Sequence, residues 1–158
     1  MLTEYHAKYF AYELTKRSAS DSIQKLAASL ADVKATVDLN PHQVEAALFA
    51  FRSPLSKGAI LADEVGLGKT IEAGLVISQK WAERKRKILI IVPSNLRKQW
   101  NQELLDKFFL SSVILENASF NQEIKKGNLN PFEQEKVVIS SNHFVRKMDA
   151  YIKKIDWV

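Results

Sequence analysis

Apolar and polar residues follow two different periods along this chain. Five aliphatic residues stand in an unbroken row at Ile88-Leu89-Ile90-Ile91-Val92, and Pro93 closes the row. Such a run predicts a strand over residues 87–92 that is buried on both faces, as in a parallel sheet. Shorter runs predict strands at residues 59–62, 112–116 and 136–140, and Ile155-Asp156-Trp157-Val158 reads as the start of another. Between these runs the apolar residues recur at helical spacing. Ile71, Leu75 and Trp81 mark one face of a helix opened by Lys69-Thr70, and Leu96, Trp100, Leu104 and Phe108 mark another capped by Ser94. Residues 119–126 form a weaker helix, 127–131 a turn-rich loop, and 141–154 a helix broken near Asp149. Strands alternating with helices predict an α/β fold with a mainly parallel sheet flanked by helices.

The first third of the chain has only the helical period. Thr3 caps a helix over residues 3–17, and Asp21, with Gln24 three residues on, caps a second whose stripe is Ile23, Leu26, Leu30, Val33 and Val37. Residues 1–38 thus read as a helical N-terminal extension, and 39–158 as the α/β part. Asn40-Pro41 opens a further helix, with Asn as N-cap and Pro at the first helical position. It carries Val44, Ala47, Leu48 and Phe51 and ends before Ser53-Pro54. Gln43 falls at its third position, where its amide either closes a capping box or reads an adenine edge. Local physics favours the cap.

Composition narrows the function classes. The 158 residues include no Cys, which excludes disulfides and thiolate metal sites, and three His at 6, 42 and 143 without ligand spacing. With 46% hydrophobic and 26% charged residues the chain has a core to bury. The first residues, Met1-Leu2-Thr3-Glu4-Tyr5, lack the pattern of a signal peptide, and the longest aliphatic run is too short to span a bilayer. A soluble, cytoplasmic protein with no membrane partner is the expectation. The net charge of +5 is compatible with nucleic-acid contact. The densest basic run, Arg84-Lys85-Arg86-Lys87, reads as a solvated linker at the edge opposite the glycine loop, and Trp100, Phe108, Phe109 and Phe120 are not interleaved with basic residues as a base-stacking platform would be.

The chemistry concentrates in Leu61-Ala62-Asp63-Glu64-Val65-Gly66-Leu67-Gly68-Lys69-Thr70. A strand, a loop with two glycines and a helix opened by Lys-Thr form the arrangement that cradles a nucleoside triphosphate. Gly66 and Gly68 let backbone N–H groups curl around phosphates with no Cβ in the way, and the helix N-terminus adds N–H groups and positive partial charge. Lys69 would reach the β- and γ-phosphates, and the Thr70 hydroxyl would hold Mg²⁺. The stretch departs from G-x-x-x-x-G-K-[ST] in having Asp63 at the place of the first Gly.

Residues 63–70 resemble the phosphate loop of Swi/Snf-type, superfamily 2 helicase-like ATPases, usually D-E-M-G-L-G-K-T, with Val65 in place of Met. Leu39-Asn40-Pro41-His42-Gln43 is similar to that family's adenine-sensing segment. Val92-Pro93-Ser94-Asn95-Leu96, with Gln99-Trp100 and Glu103-Leu104, and Val138-Ile139-Ser140-Ser141 with Phe144 resemble its two segments that contact the nucleic-acid backbone, although Ser141 and His143 stand where the family has Thr-Tyr. The four matches follow family order over residues 39–144. The resemblance implies a RecA-like P-loop sheet in truncated form. It implies nucleotide binding by Gln43, Asp63, Glu64, Val65, Gly66, Leu67, Gly68, Lys69 and Thr70, with Lys69 catalytic, Thr70 on Mg²⁺, and backbone contacts from Pro93, Ser94, Ser140 and Ser141.

The implied activity is that of a DNA-dependent ATPase, a double-stranded DNA translocase or remodeller, with ATP and Mg²⁺ as cofactors. The helical extension resembles those of bacterial members related to the RNA-polymerase-recycling ATPase, which implies RNA polymerase or other DNA-bound proteins as partners and a nucleoid-associated location. The family's acidic D-E-A-H motif and second lobe are expected beyond Trp157-Val158. So are two strands that bridge the phosphate-loop strand to the strand at 87–92. Residues 59–62 are therefore expected to pair outside the family pattern, to pair with a second copy, or to stand across a gap, and the chain by itself to hydrolyse little ATP. The competing readings are a P-loop ATPase of another class and a nucleotide-independent interaction module.

Overall fold

The computed structural model describes residues 40–52, 58–62 and 66–158. The two helices expected before Asn40, and Asp63, Glu64 and Val65 of the glycine loop, lie outside these residues.

Among the described residues nine elements follow one another: α1 (Pro41–Arg52), α2 (Lys69–Ala82), β1 (Leu89–Val92), α3 (Arg97–Phe108), β2 (Ser112–Leu115), α4 (Asn117–Lys125), β3 (Val137–Ser141), α5 (Asn142–Lys147) and α6 (Asp149–Ile152). The strands form one parallel sheet in the order β1-β3-β2. Leu89 is in register with Val138, and Val113 also lies opposite Val138 from the other side. This is the α/β, RecA-like arrangement expected from the alternation of elements, reduced to three strands.

Side chains alternate across the sheet with period two. Ile90 and Val92 of β1, with Val137 and Ile139 of β3, pack against Ala47 of α1, Ile71 and Leu75 of α2, and Leu104 and Phe108 of α3. On the other face, Val138 and Leu115 meet Phe120, Phe132, Phe144 and Ile155. Phe120 lies edge-on to Phe144 and to Tyr151, with ring centroids 5.8 and 5.1 Å apart. Edge-to-face pairs of this kind add to the area they bury.

The central strand is buried at all five residues, but β1 is not: Ile91 is 47% exposed. The expectation that residues 88–92 are buried on both faces is corrected here. β1 is an edge strand, and its second face is only partly covered. Successive peptide groups of an extended strand point to opposite edges. Ile88 accepts from Val138 N at 3.0 Å on the inner side, whereas Lys87 O turns outward and accepts from Val158 N at 3.0 Å.

Residues 59–62 form no strand, a second correction. Ile60 is 87% exposed, and a cavity of about 500 Å³ lies among Ala59, Leu61, Ile88 and Val158. A strand exists only as part of a ladder, because its N–H and C=O groups need partners. No described strand lies beside this segment, and the sheet of the described residues ends at β1. Residues 155–158 likewise stay irregular, apart from the bond from Val158.

Helix boundaries have local causes. Ser141 Oγ accepts from Phe144 N at 3.3 Å and starts α5, and the chain breaks again at Met148 before α6, as expected near Asp149. Ser94 does not cap α3; residues 94–96 make a turn, and the helix begins at Arg97. Phe109, left-handed at φ 52°, ends α3. Within α2, Gly74 allows contact with α3, since a Cβ there would lie 2.2 Å from Phe108 Cζ. The basic run after α2 is solvated but tied down. Lys85 pairs with Glu83 at 2.8 Å, Arg86 lies over the Trp81 ring at 4.0 Å and Lys87 pairs with Glu133. The Lys85 hydrogen bond holds the Glu83 carboxyl below its ordinary range and raises the Lys85 ammonium.

Candidate functional site

The glycine loop meets α2 in a geometry that only glycine adopts cheaply. Gly66 has φ 96° and Gly68 φ 91°, both left-handed. Gly68 is the N-cap of α2, and its carbonyl accepts from Ile71 N at 2.7 Å and Glu72 N at 3.2 Å. Lys69 and Thr70 therefore occupy the first two positions of a fourteen-residue helix. This is the turn whose N–H groups have no acceptor within a helix and where positive partial charge gathers.

What holds the loop is α1. Gln43 is 5% exposed, and its Nε2 donates to Leu67 O at 3.0 Å while its Oε1 accepts from Asn40 N at 3.2 Å. The Gln43 amide thus supplies its half of the capping box expected at Asn40, by accepting from the Asn40 N–H, and the same amide grips the loop. His42 Nε2 lies 3.1 Å from the same carbonyl and is the donor there, since a carbonyl oxygen can only accept. The fit is tight: a Cβ on Gly68 would fall 2.3 Å from Gln43 Nε2. At Gly66, which is exposed, a Cβ would meet no described residue within 4 Å. The structure brings together Gln43, Gly66, Leu67, Gly68, Lys69 and Thr70. The grip of His42 was not legible, because an exposed His among polar neighbours has no pattern of its own.

The second group of candidate residues lies at the carboxyl ends of the strands. Pro93 and Ser94 are exposed after β1. Ser140 and Ser141 end β3 but are buried, with internal roles for both hydroxyls. Ser140 Oγ donates to Leu115 O at 2.9 Å, and Ser141 caps α5. The hydroxyl contacts expected of these two serines are not displayed on the surface; Ser94, Asn95 and Lys98 are the exposed groups at this end. A cleft of about 340 Å³ opens there, between the β1–α3 and β2–α4 junctions.

Among the described residues no group of His, Asp and Glu has the spacing to hold a metal, and no helix is long and apolar enough to cross a membrane. The features that a triphosphate with Mg²⁺ would meet here are the left-handed glycines and Thr70 in the first turn of α2.

The sequence model of the SNF2-related domain matches residues 9–158 of this chain. Among curated relatives, the RNA polymerase-associated protein RapA of Serratia proteamaculans is 40% identical over 118 residues, which is 74% of this chain and 12% of the relative. RapA of Yersinia enterocolitica is 41% identical over 118 residues, with the same coverage. RapA of Proteus mirabilis is 45% identical over 89 residues, 56% of this chain and 9% of the relative. The chain spans about an eighth of the length of these relatives.

Proposed function

This chain belongs to the SNF2-related domain family, and from that premise we propose that residues 39–158 are the phosphate-binding part of a DNA-dependent, helicase-like ATPase. One observation carries the reading. Two left-handed glycines, held through Leu67 O by His42 and Gln43, lead directly into Lys69-Thr70 at the start of α2. In this reading Gly66, Leu67 and Gly68, together with Asp63, Glu64 and Val65, wrap the phosphates, Lys69 neutralises charge on them and Gln43 faces the adenine. Thr70 would hold Mg²⁺, which when bound draws charge from the phosphate oxygens. The loop and helix bind and orient the nucleotide, and residues elsewhere in a longer protein would complete the chemistry.

Pro93 and Ser94, with Asn95 and Lys98 exposed beside them, form the face proposed for double-stranded DNA; Ser140 and Ser141 lie buried behind it. Backbone contact of this kind is salt-sensitive and independent of sequence. RNA polymerase is a proposed partner by analogy with the relatives' name, and a cytoplasmic, nucleoid-associated location goes with it.

The test is made in the whole ATPase that carries this segment. Lys69→Ala is expected to lower DNA-stimulated ATP turnover by at least about 10²–10³-fold, comparable to other lost transition-state donors. Turnover near wild type would overturn the phosphate-loop assignment. Turnover indifferent to double-stranded DNA in the wild type would favour a P-loop ATPase of another class.

A further inference from the structure

The cleft at the carboxyl ends of β1 and β2 contains two adjacent cations in unlike surroundings. Arg97 is turned inward. Its Nη1 donates to Glu116 Oε2 at 2.8 Å, its Nε donates to Ser94 O at 3.1 Å, and its side chain is 17% exposed. The guanidinium thereby straps the β1–α3 turn to the β2–α4 junction. Glu116 is fixed in turn, because it forms a capping box with Ser119 at the start of α4, and Glu116 N donates to Ser119 Oγ at 3.0 Å. Lys98 is exposed and has no ion-pair or hydrogen-bond partner among the described residues. Ser94 and Asn95, exposed beside it, complete the polar side of the cleft.

The placement of these cations works against the fold. Arg97 and Lys98 are the first two residues of α3, and no acidic residue stands in that turn. Positive charge at a helix N-terminus is unfavourable. Glu116 offsets this for Arg97, and no acidic group among the described residues pairs with Lys98. Natural proteins break such local rules chiefly at functional or strained sites.

We propose that Lys98 is the phosphate-contacting cation of the DNA face, and that Glu116 is a positioning residue which fixes Arg97 and cancels its charge there. This rests on the reading of that face as a nucleic-acid interface. An ion-paired guanidinium releases no net counterion charge when a phosphate arrives, whereas an unpaired ammonium does. Lys98 therefore sets the salt dependence of binding, and Glu116 limits it.

The experiment is a fluorescence-anisotropy titration of a labelled, arbitrary-sequence DNA duplex with the 158-residue chain, over about 50–200 mM NaCl. Lys98→Gln is expected to weaken binding and to reduce the slope of log affinity against log salt by about 0.9. Glu116→Gln keeps one acceptor oxygen, for the cap or for Arg97, and removes the negative charge; it is expected to strengthen binding and to steepen the slope by about 0.9. Glu133→Gln, which releases Lys87 away from the cleft, should leave the slope unchanged.

Thermal melts separate these effects from stability. Lys98→Gln should not lower the midpoint, since it removes an unfavourable charge from the α3 terminus. A purely structural Glu116 would give a lower midpoint with an unaltered slope, and that result overturns the proposal. Slopes for Lys98→Gln and Glu116→Gln parallel to wild type overturn it while leaving the DNA face in place. Absence of binding by wild type and Glu116→Gln alike overturns the DNA face and the proposal together.

Discussion

Around β3, five consecutive residues are buried and four aromatic side chains converge from α4, the following loop, α5 and α6. Around Gly66 to Gly68 the chain is largely exposed, and two side chains of α1 hold it through one carbonyl. The first region is fixed by apolar area and sheet pairing, which are non-directional and cumulative. The second is fixed by a few directional bonds around two left-handed glycines. An anion needs bare N–H groups and space, so a loop built to receive one cannot also be packed. The sheet half supplies the rigidity, and α2 carries it to the loop.

Three substitutions test that contrast, beginning with the largest effect. Phe132 is 1% exposed and meets both Phe120 and Phe144. Phe132→Ala should cost about 3–5 kcal/mol in urea unfolding, as large aromatic truncations in cores do. A loss below about 1 kcal/mol would mean that the aromatic cluster is not the foundation of the sheet half.

Gly74→Ala acts on the joint between the halves. A methyl there would meet the Phe108 ring at 2.2–2.3 Å, and Phe108 is 6% exposed within the core. Alanine would favour the helix by roughly 1 kcal/mol. Pushing the ring aside should cost about 1–3 kcal/mol in overpacking. The expected outcome is a net lower urea midpoint, together with weaker nucleotide binding as α2 shifts. A raised midpoint would show that α2 and α3 are free to separate.

Gln43→Ala has the smallest expected effect on stability, about 1 kcal/mol, typical of a lost cap. It removes one of the two holds on Leu67 O and leaves His42 as the other. Discrimination between ATP and GTP should fall with it. If stability falls while that discrimination is unchanged, the amide serves the cap and the loop without reading the base.

Much of this was legible in the sequence, for identifiable reasons. β1, β2 and β3 lie within a residue or two of their expected bounds, because aliphatic runs closed by Pro or polar residues admit few alternatives. The break near Asp149 and the capping of the Asn40 N–H by Gln43 followed from local chemistry. Residues 59–62 failed as a strand because pairing is not local: four apolar residues announce a strand, but only a neighbour makes one. Ser94, Ser140 and Ser141 show the same limit in the site. A serine at a strand end reads alike whether its hydroxyl faces solvent, as at Ser94, or is engaged inside, as at Ser140. The Arg97–Glu116 pair spans nineteen residues and two elements, so no spacing rule reveals it. Gly74 carried a faint signal, as glycine within a helix suggests close packing, but only the position of Phe108 shows what it accommodates.

The outward edge of β1 has a consequence for amide exchange with solvent. Ile90 and Val92 turn their peptide groups toward β3, as Ile88 does when it accepts from Val138, while Ile91 turns its own the other way, where no described strand lies. Neighbouring amides in one strand therefore belong to different classes of protection. Those of Ile90 and Val92 exchange only when the sheet opens, and that of Ile91 exchanges from the intact fold. A strand added along this edge would erase the alternation, which makes the Ile91 amide a reporter of whether the sheet is complete.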